Sequence, residues 1–323
     1  MITNTRIAFG DQLGAQMLTL ANLYYIAKEN NQRIVFFEEL KNYKRGYQIL
    51  DVFDIKNIDL ISCNNFFVGQ LSKCYNIDKY KSLNWNAKMH RIYYSKFMSF
   101  VDRIYYKLFK TTIKNFITYN GLENGVHCDD CLMNIDEKLN YDILSGYGTY
   151  QDWKKYENDI VELFDFKQSI IDEANRDQLL MDKIVNENSV SIHFRKTDYL
   201  VMSSLNLNIN YYEKALQYFD NSCYYIVFSD DIDLVKKEGL LGKYKNVVYV
   251  EGKSPGCDLY YMSSCKNNII ANSSFSFWGG ELNTNKNKKV VCPYDYIGDV
   301  AKEYQYINGN WFPSSWRSIN MNQ

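Results

Sequence analysis

Proline is scarce in this sequence, and long apolar runs are absent. Three prolines and 16 glycines among 323 residues argue against long disordered linkers. No window of about 18 consecutive apolar residues occurs, so no membrane-spanning helix is expected. The opening residues, "MITNTRIAFGDQ", contain no basic segment followed by an apolar one, so no signal peptide is visible. We therefore expect a cytoplasmic protein with reduced cysteines.

Charge and cysteine content exclude further classes of protein. The net charge of −1 gives no reason to expect a nucleic-acid partner. Cys128 and Cys131, in "CDDC", have metal-ligand spacing, but no second pair or histidine cluster accompanies them. We interpret them as structural thiols and expect no bound metal. The length and the 46% hydrophobic content allow a large core and favour two domains over one.

The order of predicted elements indicates an α/β fold. The first residues predict a strand in "TRIAFG", a helix in "AQMLTLANLYYIAKENN" and a strand in "RIVFF". Residues 40–175 are mostly helical and aromatic in pattern. From residue 189, helices alternate with strands in "SVSIHFR", "CYYIVFSDD", "NVVYVEG", "NNIIANS" and "KKVVCP". This alternation is typical of a parallel, doubly wound sheet, in which ligands bind beyond the carboxyl ends of the strands.

Polar side chains follow three of these strands at that edge of the sheet. They are Arg195, Lys196 and Asp198; Ser229, Asp230 and Asp231; and Asn272, Ser273, Ser274, Phe275 and Ser276. The planar fork of Arg195 suits a phosphate, and a buried Arg195–Asp198 pair that closes the sheet edge is the alternative. His193 shares a face with Arg195 if the strand alternates, although a lone strand histidine is more often a core group.

Each of the other segments also has a structural interpretation. "FSDD" could bind a ribose or a guanine edge, or could begin a helix. "NSSFSFWGG" could bind an anion at a helix N-terminus, or could simply cap that helix. Residues 88–116 predict a helix with one basic face, which could contact anionic lipid or could be solvated.

Five segments resemble, in the same order, motifs of the bacterial α-1,2-fucosyltransferases, the family 11 glycosyltransferases. They are "FGDQLGAQM", "GYGTYQDWKKYENDIVELFDFK", "IHFRKTDYL", "IVFSDDIDLVKK" and "NNIIANSSFSFWGGELN". The sequence departs from the family pattern at Lys196, where the motif has a second arginine, and at Ala15, where it has asparagine. Asp11 and Gln12 stand where the family has Gly-Gly.

The resemblance implies a GT-B-like architecture of two Rossmann-like domains facing a cleft. It divides the chain into an acceptor-side domain at 1–175, a GDP-fucose-binding domain at 176–300, and a tail at 301–323 that packs back on the first domain. The implied residues at the sugar-donor site are His193, Arg195, Lys196, Ser229, Asp230, Asp231, Asn272, Ser273, Ser274, Phe275 and Ser276. The implied acceptor-side loop contains Asp11, Gln12, Gly14 and Gln16.

The implied activity is inverting transfer of L-fucose from GDP-β-L-fucose to the 2-hydroxyl of a β-galactoside. Arg195 would meet the charge that grows on the departing GDP. Asp198, by its position, and Asp11, by the proximity of its loop, are the candidates for the general base, and weak base assistance is the alternative. The chain shows no Asp-x-Asp motif of the metal-dependent kind, so no cofactor or metal is expected. The acceptor would be a galactose-terminated oligosaccharide or a lipid-linked glycan, reached by peripheral contact with an anionic membrane. The alternatives are a non-catalytic nucleotide- or glycan-binding protein on the same fold, and a transferase that uses another GDP-sugar.

Overall fold

The computed structural model describes residues 1–8, 11–42, 45–61, 108, 116–119, 135, 137, 140–143, 149–197, 207–294 and 311–320. Contacts divide the chain into two units. The first comprises Met1–Gln12, Leu18–Gln48 and Ile55–Gly148, and the second comprises Leu13–Met17, Ile49–Asp54 and Thr149–Gln323. Each unit is built on its own parallel sheet.

The first sheet contains five strands in the order β3-β2-β1-β5-β4. These strands are β1 (Ile2–Thr3), β2 (Ile34–Phe37), β3 (Ile58–Ile61), β4 (Phe116–Tyr119) and β5 (Asn140–Ile143). Helix α1 (Leu13–Glu29) lies between β1 and β2 in the chain, and helix α2 (Gln48–Val52) precedes β3. All the strand pairs are parallel, which confirms the α/β class for this unit.

One prediction for this part of the chain is wrong. The first strand comes earlier than "TRIAFG", and Thr5–Ala8 is a short 3-10 helix. Asp142 lies in β5 and pairs with Thr3 of β1. Its carboxylate accepts hydrogen bonds from the Thr5 N–H (2.9 Å) and hydroxyl (2.7 Å), so the chain turns at Thr5. Residues 40–175 also contain strands β3, β4 and β5, which the helical and aromatic pattern did not predict.

The second sheet confirms the predicted alternation. Its strands are β6 (Ser189–Phe194), β7 (Tyr224–Ser229), β8 (Val247–Tyr249), β9 (Asn267–Ile269), β10 (Val290–Pro293) and β11 (Arg317–Ile319). Its helices are α3 (Tyr150–Trp153), α4 (Glu157–Leu163), α5 (Gln168–Asn175), α6 (Gln178–Asn186), α7 (Ile209–Leu216), α8 (Ile232–Glu238), α9 (Pro255–Ser264) and α10 (Ser274–Glu281).

The order of the strands in this sheet is β11-β10-β9-β6-β7-β8, and every pair is parallel. The chain builds outward from β6 in one direction through β7 and β8, and then returns to build outward through β9 and β10. This is the doubly wound order of nucleotide-binding folds, and its direction reverses between β6 and β9. The crevice at the carboxyl ends of β6 and β9 is therefore where a ligand is expected.

The units do not follow the predicted boundary at residue 175. Residues 149–175 belong to the second unit because their side chains pack on its helices. Trp153 stacks on Trp278 of α10 with ring centroids 5.7 Å apart, and the Tyr261 hydroxyl of α9 donates to the Ala174 carbonyl at 2.9 Å. Within the predicted tail, Arg317–Ile319 forms β11, which pairs with β10 and extends the second sheet.

Several sequence-based predictions lie outside the described residues. They concern Asp198, the pair Cys128 and Cys131, and the basic helix at 88–116 apart from Leu108. In the described part of the chain, no helix is long and apolar enough to cross a membrane. The four described cysteines, Cys223, Cys257, Cys265 and Cys292, are buried free thiols.

Candidate functional site

Arg195 lies immediately after β6, at the point where the winding of the second sheet reverses. Because β6 and β7 pair in register from Ser189 with Tyr224 to Phe194 with Ser229, the residues that follow the two strands become neighbours. The Arg195 guanidinium is 3.4 Å from the Asp230 carboxylate, and their side chains are 17% and 18% exposed. The structure thus supplies Arg195 with an acidic partner from the next strand.

Asp230 also shapes the turn that carries Arg195. Its carboxylate accepts hydrogen bonds from the backbone N–H groups of Lys196 (2.7 Å) and Thr197 (3.2 Å) and from the Thr197 hydroxyl. Burial would raise the pKa of Asp230, but these hydrogen bonds and the Arg195 charge outweigh it and hold the pKa below its usual value. An ionised Asp230 therefore pairs with the Arg195 side chain and also fixes the backbone of the two residues that follow it.

The side chain of Lys196 has a structural partner. It is buried, and its ammonium lies 2.8 Å from the Glu238 carboxylate at the end of α8. Its backbone N–H, as noted, donates to Asp230. This favours a structural interpretation for the Lys196 side chain, which the sequence predicted at the sugar-donor site.

His193 is buried on the strand two residues before Arg195. Burial, followed by the Arg195 charge, lowers the pKa of His193 to about 4 against the opposing effect of Asp230, so the imidazole is neutral at pH 7. Its ring lies 5.8 Å from that of Phe275, and its Nδ1 makes no hydrogen bond with any described residue. A buried polar atom without a partner is uncommon in a folded protein, and it is available here to a ligand.

The "NSSFS" segment begins α10 after β9. Ser273 is the residue that precedes the helix, and its side chain makes no capping hydrogen bond. The Ser276 hydroxyl instead accepts from the Ala271 N–H at 3.1 Å, so Ser276 is buried and structural. The helix N-terminus places the N–H groups of Ser274 and Phe275 at the β6–β9 crevice, where unpaired N–H groups and the helix dipole favour an anion.

Gly14 brings the first turn of α1 against the first turn of α10. A Cβ atom at position 14 would lie 2.4 Å from the Phe275 nitrogen and 2.6 Å from its Cα, which is closer than real atoms approach. Only glycine therefore permits this contact. The N-termini of two helices lie side by side here, which reinforces the positive potential for an anion.

The other residues of the first loop have different roles. Gln16 is buried, and its Oε1 accepts from the Ile49 N–H at 3.2 Å, so it supports the start of α2. Gln12 is exposed and Asp11 is half-buried, so both are accessible to solvent. Gly14 and Gln16 belong to the second unit and not to the acceptor-side domain predicted from sequence.

Ser229 and Asp231 have the structural role that was the alternative for "FSDD". The Asp231 side chain accepts from the Leu234 N–H at 3.0 Å and begins α8, and the Ser229 hydroxyl accepts from the Asp231 N–H at 3.0 Å. Asp231 and Asp233 have Asp-x-Asp spacing, although the sequence analysis expected no Asp-x-Asp motif of the metal-dependent kind. The helix capping explains Asp231, and Asp233 lies exposed in the first turn of α8.

Asp258 is a candidate that the sequence motifs missed. It lies in the first turn of α9, which follows β8 at the same edge of the sheet, and its Oδ1 is buried without a hydrogen-bond partner among the described residues. Burial, and then the charge of Glu173, raise the pKa of Asp258 to about 7, opposed by Lys253. The available signal was an acidic residue in the first turn of the helix that follows a strand.

These features define an α/β protein of nucleotide-binding topology, with an arginine and two helix N-termini at the switch point. The sequence model of glycosyl transferase family 11 matches residues 136–313. The chain therefore belongs to glycosyl transferase family 11.

Curated relatives match part of this chain. The O-antigen biosynthesis glycosyltransferase WbnK of Escherichia coli is 34% identical over 156 residues, 44% of this chain and 51% of WbnK. The alpha-1,2-colitosyltransferase of Escherichia coli is 37% identical over 113 residues, 32% of this chain and 39% of that protein. The match thus spans about half the length of these relatives or less.

Two solved structures match most of the length of this chain. The crystal structure of POFUT1 in complex with GDP has a TM-score of 0.50 and 10% identity, and the match covers 90% of this chain and 97% of POFUT1. Fucosyltransferase NodZ from Bradyrhizobium has a TM-score of 0.47 and 12% identity, with 86% of this chain and 90% of NodZ covered. The likeness to POFUT1, with the two parallel sheets, confirms the predicted GT-B-like α/β class.

Proposed function

We propose that the protein transfers L-fucose from GDP-β-L-fucose to the 2-hydroxyl of a β-galactoside, with inversion at the anomeric carbon. Family membership supplies the class of reaction. The observation that carries the proposal is Arg195, paired with Asp230 at the carboxyl end of β6, where the strand order reverses toward β9 and the N-terminus of α10. A cation and helix N–H groups at one crevice suit a diphosphate.

The proposed reaction needs groups that stabilise the negative charge on the departing GDP. The bond between the anomeric carbon and the β-phosphate oxygen breaks, and its electron pair stays on that oxygen. The galactoside 2-hydroxyl forms the new bond to the anomeric carbon and loses its proton. Arg195 and the N–H groups of Ser274 and Phe275 would stabilise the departing GDP, so the reaction requires no divalent metal in this proposal. Asp198 and Asp11 are the candidates to accept the proton.

The nucleoside would extend along the rim from β6 toward β8. Two strand spacings separate these strands, about 10 Å, which is comparable to the length of a nucleoside diphosphate. The unpaired Oδ1 of Asp258 lies at the β8 end and can accept N–H groups such as those on the edge of guanine. His193, neutral and unpaired at Nδ1, would contact the phosphates or the ribose.

The acceptor in this proposal is a galactose-terminated oligosaccharide or a lipid-linked glycan. The protein would work in the cytoplasm, with peripheral contact at the inner face of the membrane through the basic residues of 88–116. Salt-sensitive co-sedimentation with anionic vesicles tests this contact.

The test of the proposed function is a transfer assay with the full chain, GDP-fucose and lactose. We expect GDP release that depends on lactose, together with a product in which fucose is α-linked to the galactose 2-hydroxyl. Binding of GDP-fucose without release of GDP would instead support a non-catalytic nucleotide- or glycan-binding protein on the same fold.

A second candidate is the same transfer with a different sugar. The observation that favours it is the similarity to the alpha-1,2-colitosyltransferase. A parallel assay with the corresponding colitose donor decides between them, because the preferred donor should show the larger kcat/KM.

A further inference from the structure

A second pocket lies at the opposite end of the second sheet. Its volume is about 380 Å³, and it crosses the amino ends of four adjacent strands, β10, β9, β6 and β7. It is lined by Asn188, Tyr218, Phe219, Asp220, Cys223, Lys266, Asn267, Asn285, Asn287 and Lys289. Strand β6 separates this end from Arg195 by six residues, about 20 Å, so the pocket is distinct from the candidate site described above.

The floor of the pocket is preorganised by two asparagines. The Asn267 amide donates to the Asn188 Oδ1 at 3.3 Å, and its own Oδ1 accepts from the Lys289 N–H at 3.0 Å. The Asn188 amide in turn lies 3.2 Å from the sulfur of Cys223. A ligand would therefore meet a surface whose side chains are already held in place.

One wall is a loop that Lys288 holds rigidly. Its ammonium donates to the carbonyls of Gly280 (2.8 Å), Glu281 (3.3 Å) and Asn283 (2.7 Å), at the end of α10. With Lys288 turned inward, the next residue, Lys289, lines the pocket. The NH₂ group of the Asn285 side chain makes no hydrogen bond with any described residue, so it can donate to a ligand.

The charge of the lining is positive. Lys266 and Lys289 contribute two ammonium groups, and neither forms an ion pair within the described part of the chain. Asp220 contributes one carboxylate, which already accepts from the Ser222 N–H at 2.8 Å. Two unpaired cations beside one engaged carboxylate favour an anionic ligand.

The opposite wall is aromatic. Tyr218 is 41% exposed, and the Arg317 guanidinium lies 5.2 Å from its ring centroid while the Arg317 Nε donates to its hydroxyl at 2.9 Å. These contacts fix the orientation of the ring. Phe219 adds a second, half-buried ring. In such a pocket, the aromatic rings contact the apolar faces of a small polar ligand, and the amides bind its hydroxyl groups.

We propose that this pocket binds an anionic saccharide, a sugar ring that carries a carboxylate, as a subsite separate from the site of transfer. The rings of Tyr218 and Phe219 would contact the sugar's C–H faces. The amide groups of Asn285 and Asn287 would bind its hydroxyls, and Lys266 and Lys289 its carboxylate. The proposal does not depend on which sugar the protein transfers.

The test is calorimetric titration of the full chain with tetragalacturonate, in the absence of any sugar donor. The double variant Lys266→Gln/Lys289→Gln should bind roughly tenfold more weakly, since two partly screened ion pairs are lost. The matched control is Lys286→Gln, an exposed lysine of the same loop that does not line the pocket, and it should bind within about twofold of the parent. Neutral galactotetraose should bind more weakly than tetragalacturonate.

Four results would overturn the proposal: no binding of tetragalacturonate, equal binding by the double variant, an equal loss in the Lys286→Gln control, or inorganic phosphate that competes as tightly as the saccharide. Binding of anionic vesicles that depends on the same two lysines would replace the saccharide with a lipid surface. A thermal melt of each variant verifies that it remains folded, and this check does not depend on the proposed function.

Discussion

Arg195 is held by an acidic partner while it lies at the edge where a ligand is expected. Its pair with Asp230 is mostly buried, so the side chain is not a free cation in a solvent-filled cleft. A buried pair and a catalytic cation predict different results on substitution. Two substitutions at neighbouring positions can therefore separate the chemical role from the structural one.

Arg195→Lys should lower kcat by roughly 10²- to 10³-fold while it changes stability little. Lysine keeps the charge that Asp230 requires, but it loses the planar fork that suits a phosphate. The measurements are GDP-fucose turnover and a thermal melt of the same sample. A large fall in melting temperature, with activity that follows the folded fraction, would show that Arg195 only closes the sheet edge.

Asp230→Asn provides the comparison for Arg195. The amide leaves the N–H groups of Lys196 and Thr197 with a weaker acceptor, so stability should fall by about 1–3 kcal/mol. Its activity should also fall, because Arg195 loses its orientation. Wild-type stability in this variant would contradict the role we assign to Asp230 in the turn.

Asp258→Asn should weaken GDP binding by about 10- to 100-fold, the amount expected when a charged hydrogen-bond acceptor is lost. Guanine N–H groups need an ionised carboxylate, and the pKa of Asp258 is about 7. The affinity of the parent for GDP should therefore rise from pH 6 to pH 8, whereas that of the variant should stay flat. A pH-independent affinity in the parent would exclude Asp258 from the base site.

At the scale of secondary structure, the contact of α1 with α10 predicts whether Gly14→Ala stabilises or destabilises the protein. Helix propensity alone predicts that Gly14→Ala stabilises α1 by about 0.5–1 kcal/mol. The 2.4 Å approach of a Cβ to the Phe275 nitrogen predicts instead a loss of about 1–3 kcal/mol and weaker GDP binding, because the backbone of α10 must move. Chemical denaturation gives the sign, and a gain in stability would contradict the contact.

A carboxyl pair between α4 and α10 makes stability depend on pH. Glu281 is buried, and burial, then the charge of Glu157, raise its pKa to about 8, opposed by Lys288, which donates to carbonyls nearby. Tyr150 also faces this group and donates to Glu157 at 2.8 Å. The folded protein therefore keeps a proton on Glu281 at pH values where the unfolded chain has lost it.

The sign follows from the raised pKa. Protonation of Glu281 contributes its full stabilisation of the folded state below the ordinary glutamate pKa. This stabilisation is lost as the pH rises from that value through about 8, at on the order of 1 kcal/mol per pH unit between the two pKa values. Glu281→Gln should flatten the dependence of unfolding free energy on pH between 5 and 8. Glu162→Gln, an exposed glutamate of the same helix as Glu157, should leave it unchanged, and equal slopes in all three proteins would contradict the buried proton.

The sequence predicted elements better than the contacts between them. Apolar alternation gave β6 to β10, because each has its own pattern. It did not give β3, β4, β5 or β11, and it placed the first strand too late in the chain, since these short strands are stabilised by pairing between distant segments. The motifs named Arg195, Asp230, Phe275 and Gly14 one by one. The pairing of Arg195 with Asp230 and the approach of Gly14 to Phe275 depend on strand register and helix packing, which no local pattern encodes.

At the scale of the whole molecule, GDP should bind without a divalent cation. The positive groups at the proposed phosphate site, Arg195 and the N-termini of α1 and α10, belong to the chain itself. Calorimetry in excess chelator measures the affinity, and GDP at about 100 times its dissociation constant should stabilise the fold by about 2.7 kcal/mol. Binding that requires added Mg²⁺ or Mn²⁺ would contradict the proposed site.

The contact between Gly14 and Phe275 also has a consequence for how this protein can diversify. A Cβ added at position 14 would meet the backbone nitrogen and Cα of Phe275 before any other atom. Every amino acid presents those two atoms, so no exchange of side chain at position 275 makes room for one at position 14. The Phe275 side chain has contacts of its own, with the His193 ring and with the core that contains Tyr261 and Met262. A directed-evolution library aimed at a new sugar donor should therefore leave residue 14 as glycine.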